Sequence, residues 1–93
     1  MGTERLLDEL LTVARRLGIE VRVEPFRAGI RTPGGLCRLR GRVLVLIDQR
    51  LGVFDRTRTL AEALAALDVE GVYLTPQARR IIEAARERHG PRV

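Results

Sequence analysis

The chain has 93 residues, room for one hydrophobic core and no second domain, and a chain of this size buries roughly 60–65% of its extended surface on folding. Its net charge is +5, all 17 basic residues are arginine, and lysine, serine, asparagine and tryptophan are absent, which fits codon usage in a GC-rich bacterial genome. The lone Cys37 excludes an internal disulfide, acids among the first leucines argue against a signal peptide, and no run nears the ~20 apolar residues of a membrane span, so a cytoplasmic protein is expected.

In residues 4–17, Leu6, Leu10, Val13 and Leu17 form one stripe, widened by Leu7, Leu11 and Ala14. That spacing predicts a helix, with Thr3 as N-cap and Gly18 as its stop. In "IEVRVEP", Ile19, Val21 and Val23 alternate with charged residues, which predicts a half-buried strand ending at Pro25. Residues 26–35 read as a loop, and Thr32-Pro33-Gly34-Gly35 as a turn within it. Two strands, "LCRLR" and "RVLVLID", flank Gly41, so the Arg-Gly-Arg junction predicts a tight hairpin. Val43 to Ile47 are apolar on both faces, the pattern of a central strand covered on both sides. Asp55 is placed as N-cap of a helix over 56–67, striped by Leu60, Leu64 and Leu67, with alanines that let a neighbour approach closely. "DVEGVYL" reads as a turn and a short extended piece. Thr75-Pro76 opens a last helix, 76–89, that turns Ala78, Ile81, Ile82 and Ala85 inward. The order α-β-β-β-α-α gives a small α+β domain, its three-stranded sheet packed by helices 4–17 and 56–67. The third helix closes the core or docks on a partner.

The stretch "TLAEALAALD", residues 59–68, has the outline of a zinc-peptidase helix with alanines in place of histidines. A His-Glu-x-x-His run binds zinc because residues i and i+4 share a helix face and the glutamate between them activates the metal's water. Here those positions are Ala61, Glu62 and Ala65, and alanine offers no lone pair. His89 and Cys37, the sole imidazole and thiol, fall short of the three protein ligands of a catalytic zinc. No metal, no cofactor and no metallopeptidase activity are expected. Ala, Leu and Glu are also strong helix formers, so plain packing accounts for the run without peptidase ancestry and is the preferred reading.

The succession "LGIEVRVEPF", "GGLCRLRGRVLVLID" and "RTRTLAEALAALD" resembles the minimal zincin-like domain of the ImmA/IrrE-type metallopeptidases over residues 3–68. The resemblance implies a leading helix and small sheet ahead of the former zinc helix, Glu62 at the general-base position, and a pseudoenzyme. The chain is also similar to short bacterial proteins that share the Gly-Gly-Leu-Cys-Arg strand and the Glu-Gly-Val-Tyr-Leu turn, a likeness that implies no activity.

Strand alternation puts Cys37 with Leu39, away from Arg38 and Arg40, as a structural thiol, and His89 reads as a surface residue. Gly34-Gly35 enter a strand rather than open a helix, which is the wrong order for a phosphate cradle. Charge is uneven: residues 1–25 carry a net −1, residues 26–58 a net +6 and residues 59–93 zero. The strand 43–47 and "LGVF" at 51–54 supply apolar surface beyond what three short helices need, the kind of excess that seals a symmetric dimer. The expectation is a non-catalytic bacterial module that binds itself, as a homodimer, or another protein, through Leu51, Val53, Phe54 and Tyr73. The alternative is a nucleic-acid-binding accessory protein that contacts the phosphate backbone through Arg27, Arg31, Arg38, Arg40 and Arg42.

Overall fold

The computed structural model describes residues 2–26 and 34–88. Six elements follow in the expected order: α1 (Thr3–Arg16), β1 (Glu20–Glu24), β2 (Gly34–Leu39), β3 (Arg42–Asp48), α2 (Val53–Ala65) and α3 (Pro76–Arg88). The sheet order is β1-β3-β2, so the most apolar strand is the central one. β3 runs parallel to β1, with Val21 opposite Val45, and antiparallel to β2, with Cys37 opposite Leu44.

Leu39 pairs with Arg42, which leaves Arg40 and Gly41 as a two-residue hairpin loop. Their φ values, 52° and 78°, are both positive, as a type I′ turn requires. Gly41 adopts this conformation freely; Arg40 is the single non-glycine residue with positive φ among the described residues. Gly34 and Gly35 belong to β2 rather than to a turn, which corrects the sequence reading. The reason is close approach: at φ 139° a Cβ on Gly34 would collide with the carbonyl oxygen of Leu46 on β3. Residues 27–33 of the expected loop lie outside the described residues.

Paired residues in a sheet share a face and successive residues alternate. Val45 and Ile47 therefore face the helices, where they join Leu10 and Val13 of α1, Leu60 and Leu64 of α2, and Ala78 and Ile82 of α3 in one aliphatic core. All three helices feed this cluster, so α3 closes the core. Leu44 and Leu46 lie on the opposite face and outside the cluster, although Leu44 is buried between the flanking strands, in register with Glu20 and Cys37. The expectation of a central strand covered on both sides thus holds for one face among the described residues. Three helices joined by short connections stay on a single side of so small a sheet.

Helix ends follow the local chemistry in part. Gly18, at φ 75°, ends α1 in a Schellman motif: its N–H reaches the Arg15 carbonyl at 3.0 Å and the Ile19 N–H reaches Ala14 at 2.9 Å. Thr75 caps α3 as expected, its Oγ1 accepting the Ala78 N–H at 3.1 Å while donating to Glu9 on α1 at 2.6 Å. The other two N-caps are glycines, Gly2 for α1 and Gly52 for α2. Extended backbone at Gly52 starts α2 earlier than sequence reading placed it, and Asp55 falls in the first turn, where its charge suits the helix dipole. Residues 66–75 form turns and irregular backbone with no strand, and the Arg86 guanidinium satisfies the Ala65 carbonyl at 3.2 Å. Among the described residues no helix is long and apolar enough to cross a membrane.

Candidate anion-binding site

The helix that carries Ala61, Glu62 and Ala65 packs against the core. Ala61 is fully buried in the aliphatic core and Ala65 is half-buried against it. Glu62, one residue round the helix, points to the surface, where Arg88 at 3.2 Å and Arg58 at 3.6 Å pair with its carboxylate. Among the described residues no group of three His, Cys, Asp or Glu side chains could hold a metal ion. Cys37 is half-buried in edge strand β2, opposite Leu44.

The arginines of the middle third separate into two sets. Arg50 grips the buried Asp48 through its guanidinium at 2.9 Å and its backbone N–H at 3.1 Å. That grip, with the Phe26 N–H, holds the Asp48 carboxyl below the usual carboxylate range. Arg56 donates to the carbonyls of Leu51 at 2.9 Å and Gln49 at 2.8 Å, which ties the β3–α2 turn. Arg58 pairs with Glu62. These three serve the fold.

Arg38, Arg40 and Arg42 form the second set. All three are exposed on the β2–β3 hairpin, and none has a hydrogen-bond or ion-pair partner among the described residues. Arg27 and Arg31 lie outside the described residues. The Schellman turn that leads α1 into β1 sits at the same end of the sheet as the hairpin, because Glu20 at the start of β1 pairs with Leu44 near the start of β3. Arg15, in the last turn of α1, accordingly lines an open depression of about 510 Å³ together with Arg42 and Glu20. Glu20 is already occupied: Arg22 Nε donates to it at 2.7 Å and, with added charge from Arg42, keeps its carboxyl below the usual range. Arg15 and Arg16 also lack ion-pair partners among the described residues. Sequence reading missed both, since they stand in the segment of net negative charge; the signal that could have found them was the stop at Gly18, which turns the chain toward the sheet.

The candidate protein-interaction residues differ in burial. Leu51 is half-buried and packs against the core, and Val53 is half-buried in the first turn of α2. Phe54, 68% exposed, stands on that same turn, while Tyr73, 72% exposed, lies in the α2–α3 connection just before the Thr75 cap. Leu36 and Leu39 of edge strand β2, which sequence reading did not single out, are exposed as well. No protein-family model, no curated protein and no solved structure matches the chain.

Proposed function

We propose that this is a non-catalytic module of the bacterial cytoplasm that binds a polyanion, the phosphate backbone of a nucleic acid, at the hairpin end of its sheet. One observation carries the reading. The fold bonds Arg50, Arg56 and Arg58 to carboxylates and carbonyls, yet Arg38, Arg40 and Arg42, with Arg15 beside Arg42, are exposed and have no hydrogen-bond or ion-pair partner among the described residues. Clustered, exposed guanidiniums release counterions when they meet phosphates, and that release supplies sequence-independent affinity. On this reading α2 is a packing helix, and a zincin-like descent leaves it no chemistry.

Fluorescence anisotropy of labelled oligonucleotides tests the proposal. Binding in the range of about 1–100 μM that weakens steeply with salt is expected. Simultaneous reversal of Arg38, Arg40 and Arg42 to Glu should abolish it while circular dichroism stays unchanged. Absence of binding by the unaltered protein at low salt rejects the reading.

A second reading, self-association, is favoured by β2, which is an edge strand among the described residues and exposes Leu36 and Leu39. Sedimentation velocity decides it. A dimer that dissociates when Leu36 and Leu39 are changed to Thr supports β2 pairing; one that dissociates in Phe54→Ala or Tyr73→Ala supports the helical surface instead. A monomer at all concentrations rejects both.

A further inference from the structure

The hairpin's shape narrows the kind of polyanion, an inference that rests on the reading above. Arg38 pairs with Val43 and therefore lies on the face of the sheet that carries Val45. Arg42 pairs with Leu39 and lies on the opposite face, with Leu44. Arg40 occupies the turn between them. Cations thus stand on both faces and at the tip of the hairpin, and Arg15 lines an open depression together with Arg42.

A flat anionic surface meets one face of such a ribbon, and a single strand offers one row of phosphates. A duplex groove has phosphates on both walls. The major groove of B-form DNA, about 12 Å wide, admits a two-stranded ribbon, whereas its minor groove is about 6 Å wide. The major groove of A-form RNA is too narrow for side chains to enter. Single-strand binders stack bases on aromatic rings, and none stands on the hairpin. Phe26 donates its backbone N–H to Asp48, where β3 ends, and Phe54 opens α2 just beyond. Tyr73 belongs to the α2–α3 connection.

The turn supplies an independent pointer. Asn, Asp or Gly satisfies a type I′ position with positive φ at less cost than arginine does. Strain retained at one residue directs attention to what its side chain does, and here the side chain is a guanidinium at the ribbon's tip.

We infer that the β2–β3 hairpin is a wedge for the major groove of duplex DNA, with Arg38 and Arg42 directed to the two phosphate walls and Arg40 leading between them. The full chain is titrated by anisotropy against a labelled DNA duplex, either single strand of it, and an RNA duplex of the same sequence, with heparin as competitor. Expected is a preference for the DNA duplex of about tenfold or more, with log K falling against log salt at a slope of about −3 to −4 for three or four phosphate contacts. Arg40→Gly should weaken duplex binding by about tenfold while the salt slope, set by the phosphate contacts, changes little. Because glycine suits the turn, the urea midpoint of that variant should not fall, so the loss is not one of folding. Equal affinity for every nucleic acid, with ready displacement by heparin, overturns the groove assignment and leaves the polyanion reading standing. Unaltered affinity in Arg40→Gly also overturns the wedge. No binding at low salt removes both.

Discussion

Arg40 and Asp48 show how single residues are set by their surroundings. Left-handed backbone costs an L-residue about 1–2 kcal/mol, part of which glycine returns despite its larger loss of chain entropy. Arg40→Gly should therefore raise the unfolding free energy by about 0.5–1 kcal/mol, seen as a higher urea midpoint at constant slope. The Gly41 turn was legible from its sequence; that Arg40 shares its positive φ was not, because the strand register fixes which two residues form the loop. Asp48 is opposite in kind, a buried carboxylate held by Arg50 and by two backbone N–H groups. Its folded-state pKa lies below the unfolded one, so its stabilisation is full above the ordinary Asp value of about 3.9 and fades as pH falls toward the folded pKa. The stability difference between the protein and Asp48→Asn should be constant from about pH 7 to 5 and shrink on further acidification. A pH-independent difference would mean that shape rather than charge holds the β3–α2 turn.

Among the elements, α2 decides between chemistry and packing. Leu60 and Leu64 are fully buried, and so is Ala61, whose position would hold a metal ligand in a peptidase helix. Leu60→Ala should cost about 3 kcal/mol, the transfer of its side chain plus the cavity left behind. Glu62→Ala should cost less than about 1 kcal/mol, since Arg58 and Arg88, which pair with it, are solvent-exposed. Chemical denaturation of the two variants side by side checks this, and similar losses would show that α2 depends on its polar face. The stripe of Leu60 and Leu64 was legible in the 3.6-residue period. The start of α2 was not, because Gly52 and the Arg56 clamp on Gln49 and Leu51 set it through contacts that periodicity does not encode.

At the scale of the whole molecule, the parallel pairing of β1 with β3 has the largest consequence. It places the α1–β1 turn and the β2–β3 hairpin at one end of the sheet and the Asp48–Arg50 clamp at the other. Basic residues from two distant segments then share one end, while Glu4, Asp8 and Glu9 occupy the far half of α1. A molecule charged this unevenly approaches a polyanion in a preferred orientation, and added salt should slow that approach before it affects the aliphatic core.

The sequence by itself determined the number, kind and order of the elements, the aliphatic core, the Gly18 stop and the Thr75 cap. Each of these rests on neighbours a few residues apart, through helical or strand periodicity or a side chain reaching its own backbone. Tertiary structure alone decided which arginines are free. In the sequence Arg38, Arg50 and Arg56 are alike; only the folded chain gives Arg50 a carboxylate and Arg56 two carbonyls, and gives Arg38 no such partner among the described residues. Register decided the rest, because opposite faces for Arg38 and Arg42, and the meeting of Arg42 with Arg15, follow from which strand residues pair across the sheet.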